Sequence, residues 1–258
     1  MRRIFQYKSL VSLIIIAEFG DNRQYKVVTM LILLIIVAVV GLIIYVMKNS
    51  YNDSDWVEKR IKGRNEAQCA TIRYFCNEPS CLYKKPISDF EYDEMVQYVL
   101  SQFDFRQKAL DKIGLDEDEL KEIEPVHFEG FQFDKNSFSK QGDDGKWRSS
   151  KYQVSWLFFS TKQVFLYQYT FNMDEDGKKE ATEEYFYKDI TNFSTSSDTV
   201  ETAVYNKEKN VNELVNVDSN RFAVTVPGDK FYCSLEQSDY TERAIQGMKS
   251  LLRDKKNS

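Results

Sequence analysis

A single histidine, His127, serves all 258 residues. Catalysis that relays protons through imidazole, and zinc sites built on two or three histidines, are largely excluded on that count. Cysteine is almost as scarce. Cys69, Cys76 and Cys81 cluster, and Cys233 stands alone. A secreted disulfide scaffold is shorter and denser in cysteine. The spacings C-x6-C and C-x4-C fit no C-x2–4-C zinc pair cleanly. Free thiols suit a reducing compartment, whereas bridges among Cys69, Cys76 and Cys81 would imply export. The chain has no GxSxG, no GxGxxG after a strand and no GxxxxGK[ST]. Acidic residues are plentiful, but no spacing marks an acid/base pair. The expectation is a non-enzymatic chain without a cofactor, an enzyme with an unrecognised site being a lesser alternative.

A cationic surplus is missing too. The chain holds 35 basic and 40 acidic residues, and only five of the basic and two of the acidic lie before Val27, which leaves residues 48–258 at net −8. General nucleic-acid binding needs a basic surface to displace counterions and is not expected.

What the sequence does have is an apolar run. Val27 to Met47 (VVTMLILLIIVAVVGLIIYVM) carries no charge, and Lys26 and Lys48 close it at either end. As a helix it would be roughly 31 Å long, about the thickness of a bilayer core. The run predicts a transmembrane helix and a single-pass membrane protein. Basic residues are balanced across its two ends, but the juxtamembrane KRIKGR (59–64) and the thiol usage favour a cytoplasmic C-terminal part. Asn52-Asp-Ser54 and Asn192-Phe-Ser194 match the glycosylation pattern and keep an exported cell-surface domain with disulfides as the alternative.

Around this run the chain divides into a short N-terminal segment (1–26, with Leu10–Ala17 an interfacial stretch), the membrane helix (27–47), a juxtamembrane connector (48–87), an acidic helical pair (88–124) and a β-rich part (125–258). In the connector Trp56, Val57, Ile61, Ile72 and Phe75 could line a helix. Ser88 and Glu91 form a capping box for a helix running to Ile113, with Tyr92, Met95, Val96, Val99, Leu100 and Phe103 on one face and Gly114 as its C-cap. Asp116 and Glu119 open a second short helix, with Leu115 stapled to Leu120 and Pro125 as its stop. Twelve acidic against four basic residues lie between 88 and 125. The bland account is a solvated face, and the sharper one is a docking surface for a basic partner.

After Pro125 the apolar period becomes two. Val126–Phe133 is a strand. Tyr152, Val154, Trp156 and Phe158 alternate in a second, with Trp156 as a core residue, and Phe165–Phe171 form a third across the turn Ser160–Gln163. Asn172–Gly177 is an acidic turn. Tyr185 and Tyr187 lie on a fourth strand that Asp189–Ser194 extends. Weaker strands fall near Thr199–Tyr205 and Leu214–Val217. A hairpin joins Phe222–Val226 to Phe231–Leu235. A last helix is capped by Asp239 and Glu242, with Tyr240, Ala244, Met248, Leu251 and Leu252 as its apolar face.

Two stretches carry a resemblance. VSWLFFSTKQVFLYQYTF (154–171) resembles the strand–Thr-Lys–strand hairpin of bacterial PH-like and GRAM-like domains. EEYFYKDITNFS (183–194) resembles the strand that follows it there. The resemblance covers Pro125 to Lys256, about half the chain. It implies an α+β fold, with a PH-like antiparallel β-barrel of about seven strands closed by a C-terminal helix. It also implies a binding or scaffolding role, with a lipid headgroup or a protein as partner.

Within that frame, Lys140, Lys146 and Arg148 lie in the loop between the first two strands. They resemble the Lys-x(n)-Lys-x-Arg pattern of phosphoinositide-binding PH domains, so anionic lipid headgroups are a candidate ligand. Asn172, Asp174, Asp176, Gly177 and, at the twelfth place, Glu183 nearly fit a calcium-loop spacing, although a polar hairpin turn accounts for the same residues.

Overall fold

The computed structural model describes residues 23–79, 85–115 and 123–257. The expected Leu10–Ala17 segment and the short helix at 116–122 lie outside them. The chain divides into two compact units, Met1–Asp55 and Trp56–Ser258.

Helix α1 (Arg23–Ile61) begins in the first unit. Its side chains at Val27, Val28 and 30–45 stand open on every side, Met30 at 68% and Gly41 with nothing within 4 Å of a Cβ. The sequence predicts a membrane crossing at this place, and the structure corrects it. Among the described residues no helix is long and apolar enough to cross a membrane. Farther on the same helix turns polar, through Lys48, Asn49, Asn52, Asp53 and Asp55. The expected single-pass membrane placement, and the cytoplasmic side assigned from it, fall with that helix.

The second unit is layered. The end of α1 is followed by α2 (Glu66–Phe75), α3 (Asp89–Ser101) and α4 (Phe105–Ile113). Asn65 with Gln68, and Ser88 with Glu91, form full capping boxes on α2 and α3. The single helix expected from Ser88 to Ile113 is broken in two. The Asp104 side chain accepts from the Gln107 N–H and starts a fresh helix, and Gly114 ends it at φ +78°.

Nine strands follow: β1 (Val126–Gln132), β2 (Ser139–Gln141), β3 (Trp147–Ser149), β4 (Lys151–Phe159), β5 (Gln163–Asn172), β6 (Lys178–Phe186), β7 (Asn192–Asn206), β8 (Val211–Val226) and β9 (Asp229–Ser234). They form three antiparallel sheets, β1-β4-β5-β6, β2-β3 and β7-β8-β9. The fold is α+β, but the expected PH-like barrel is not there, because the sheets do not close. The four-stranded sheet ends on β1 at one edge and on β6 at the other. β6 is too charged to be covered, with Lys178, Lys179, Glu180, Glu183 and Glu184 along it. Nor does Asp189–Ser194 extend β6. The N–H of Ile190 bonds back to the carbonyls of Phe186 and Tyr187, and buried Tyr187 and Ile190 pin that corner. The chain then leaves for another sheet.

The four-stranded sheet is buried on both faces. Cross-strand partners share a face, so Phe131, Tyr152 and Phe171 stand on one side, and Phe128, Leu157 and Leu166 on the other. The first face packs on the helices through Val57, Ile72, Tyr74, Phe75, Tyr92, Val96, Phe105 and Leu110. The rings of Tyr74 and Tyr92 stack at 4.3 Å there. The second face packs on β7-β8-β9 and on α5 (Asp239–Asn257), through Phe193, Phe222, Val224, Ile245, Met248 and Leu252. Two amides cross this second layer. Buried Gln153 accepts the Ser234 N–H at 2.7 Å, and Gln168 donates to the Tyr232 carbonyl at 2.8 Å.

Trp156 is only half-buried. It stacks on His127 at 5.0 Å, and His127 lies beside Tyr240 at 5.3 Å. Helix α5 is capped by Ser238 and Thr241, whose hydroxyls each accept the other's backbone N–H, rather than by Asp239 and Glu242.

Candidate functional site

The residues between β1 and β4, read from sequence as a loop, form the small hairpin β2–β3. Asp144-Gly145 turns it, with Gly145 at φ +78°, and that dipeptide was the signal for a hairpin. A second signal was Trp147, an aromatic placed beside the turn.

The hairpin is held down by Arg148, whose side chain is only 5% exposed. Its Nε and Nη2 donate to the two Asp93 oxygens at 2.7 Å each. Nη1 and Nη2 donate to the two Asp144 oxygens at 2.9 Å each. Asp89 lies 3.8 Å from Nη1, accepts from the Tyr74 hydroxyl at 2.8 Å, and accepts from the Asp143 N–H at 2.7 Å. Hydrogen bonds from Asp93 and Asp144 hold the guanidinium firmly in its charged form. The Arg148 hydrogen bond in turn holds the Asp144 carboxyl well below the usual carboxylate range. Gly142 is obligatory here, since a Cβ would collide with Asp89 and Arg148.

The three cations expected to meet a headgroup therefore do different things. Arg148 is held by carboxylates, Lys140 sits over the Tyr74 ring at 4.5 Å, and exposed Lys146 points to Glu236 at 3.8 Å. The calcium-loop residues are equally dispersed. Asn172 donates to Glu175, and buried Asp174 has its carboxyl pushed up by burial. Asp176 accepts from Gln68 at 2.6 Å, and Glu183 is exposed. Among the described residues no group of three or more His, Cys, Asp or Glu is placed to hold a metal ion.

Cys76 and Cys233 are free thiols, the Cys69 sulfur lies at the Ile61 and Arg64 carbonyls, 3.5 and 3.6 Å away, and Cys81 lies outside the described residues. Burial pushes the Cys76 and Cys233 thiols up to about 12, with Ser155 opposing weakly at Cys233. Both should resist alkylation in the native protein at pH 8 and react once it is unfolded, by mass-mapped iodoacetamide labelling. The unfolded chain releases these protons from pH 9, the folded chain only near 12. Their contribution to stability is therefore full below pH 9 and is lost as pH rises toward 12. Urea midpoints that stay level from pH 8 to 11 would contradict this.

What the fold does bring together is a cleft of about 530 Å³ between α3, the β2–β3 hairpin and the middle of β8. Its walls are Phe131, Phe133, Trp147, Tyr152 and Leu235, and Asp93, Asp218, Glu236 and Lys146 stand around it. Gly130 lies at its floor, where a Cβ would come within 3.3 Å of the Glu236 nitrogen. That N–H donates to the Glu129 carbonyl at 3.0 Å and ties the wall at residues 235–237 to β1. Burial raises the Glu129 carboxyl, while His127 and the Tyr152 hydroxyl pull it back. Burial, and next Glu129 and Glu236, keep the Tyr152 phenol protonated and a donor. Asp93, Asp218 and Glu236 are far apart in sequence, so no local pattern announced them. Compared with family models, with curated proteins and with solved structures, the chain matches none.

Proposed function

We propose that this chain is a non-enzymatic binding module that takes a protein segment into the cleft beside Trp147. The observation that carries the reading is the cleft itself. Its size lies in the range of ligand pockets, and its walls set aromatic side chains among polar and charged ones. Aromatic walls accept an apolar or aromatic side chain. Around the cleft Asp89, Asp93, Asp144, Asp218 and Glu236 outnumber Arg148 and Lys146, an excess of negative charge that selects a positively charged neighbour. A headgroup is the weaker reading, because carboxylates take four of the five Arg148 N–H donors and Asp89 stands 3.8 Å from Nη1.

The test is calorimetric titration of the full-length protein with a peptide of about ten residues, alternating lysine and valine around one tryptophan. An acidic counterpart with glutamate for lysine, and phosphatidylserine vesicles, serve as controls. The expected result is binding of the basic peptide alone, weakened at least tenfold by Trp147→Ala. Equal binding of both peptides, or binding of vesicles only, overturns the proposal.

A further inference from the structure

The cleft opens at one end onto a strand with an unused edge. β8 runs sixteen residues, but β9 covers only Arg221 to Val226 of it. In an antiparallel ladder the N–H and C=O of one residue point to the same side, and sides alternate along the strand. The Asn220 carbonyl accepts from Leu235 on the β9 side, and the Thr225 carbonyl accepts from Thr191 on the β7 side. Even-numbered residues of β8 therefore point away from β7. Asn212, Leu214, Asn216 and Asp218 present eight backbone groups along ~20 Å of edge. Among the described residues none of these groups has a backbone partner beyond that edge.

Two other strand edges are blunted or met by another segment. β6 is charged along its length, and β7 is joined at Ala203 by the Ser137 carbonyl. Val211–Ser219 has no proline and no lysine, and its pairing with β7 runs without a bulge. Leu214 is 52% exposed there. Folded proteins protect such edges unless something pairs with them.

We infer that the partner binds by strand addition: an extended, lysine- or arginine-bearing segment of another protein pairs with Asn212–Asp218 of β8 and puts one apolar side chain into the Trp147 cleft. This rests on the cleft being the binding site. Charge chooses the occupant. Asp218 lies on the edge, and Asp93 and Glu236 flank its cleft end, which favours a basic segment. A second copy pairing through Val211–Ser219 would bring no lysine or arginine to these carboxylates. Backbone pairing would give affinity over a run of residues and leave specificity to the cleft and the charges.

Proline placement tests this. At Asn216 the N–H points outward, so Asn216→Pro keeps the β7–β8 ladder and removes one donor from the free edge. With the basic peptide as probe, at least a tenfold loss of affinity with an unchanged circular dichroism spectrum is expected. If Asn216→Pro binds as wild type while Trp147→Ala does not, strand addition is overturned and the cleft reading stands. If neither variant weakens binding, both are overturned. Should Asn216→Pro unfold, amide exchange on the wild-type protein decides. Slowing of exchange at Leu214, Asn216 and Asp218 on peptide addition is expected, and unchanged rates there overturn the inference. A peptide-free dimer that the proline variant abolishes would give the edge to a second copy and overturn the choice of partner.

Discussion

Phe222→Ala should destabilise the second unit by about 3–5 kcal/mol, the range for removing a fully buried phenylalanine. Phe222 is 0% exposed, and its ring lies 4.8 Å from Phe128 and 5.8 Å from Phe193. It is the point where β8 meets β1 across the two sheets, with Val224 beside it and Cys233 opposite. The neighbours belong to three strands held by their own ladders, so they cannot collapse into the space. Urea unfolding should show the loss as a lowered midpoint with an unchanged slope. Trp156→Ala is the contrast. The indole is half-buried against His127, and its truncation should cost at most half as much. Equal losses for the two would mean that the Phe222 layer is not the tight one.

Arg148→Met should cost about 3 kcal/mol. Removing one partner of a buried ion pair leaves the others uncompensated. The cost stays at the lower end because Asp93 and Asp144 are 43% and 42% exposed and can rehydrate. Asp89 is 17% exposed and cannot do so as well. Adding Asp93→Asn should recover part of the loss, since it removes a charge that then has no counterion. Amide exchange should quicken first in the β2–β3 hairpin, which the guanidinium fastens to α3. A melt within about 1 °C of wild type would show that the carboxylates solvate themselves and the hairpin stands alone.

The parts of the fold that the sequence made legible are those with a cap signature or a dense run of aromatics. Ser88 and Glu91 announced α3, and the aromatics from Tyr152 to Phe171 announced β4 and β5. The long β7–β8 ribbon was read only in fragments, because STSSDTVE and VNELVNVD are polar at positions that face solvent on both sides. The barrel was expected from a strand count and a terminal helix, but strand order decides closure. β4 lies beside β1 because the β2–β3 hairpin is excluded from that sheet, and no residue pattern states that. Arg148 shows the same limit for the site. Its spacing from Lys146 suggested an anion, but the groups that claim it are Asp93, 55 residues earlier, and the adjacent Asp144.

The helical layer has a consequence for how the protein is made. α2 leaves the ribosome with α1 before it and α3 soon after, but the sheet that covers it comes much later. Gln68 bonds to Asp176 and Arg64 to the Asp174 carbonyl, separations of 108 and 110 residues. At 5–20 residues per second, Ile72, Tyr74 and Phe75 wait roughly 5–20 s for the sheet that will cover them. During that interval the nascent chain displays an aromatic cluster that has only its neighbouring helices to fold onto. A holding chaperone should therefore crosslink to this stretch on stalled chains that end near residue 150, and release it on chains that include β5 and the turn after it.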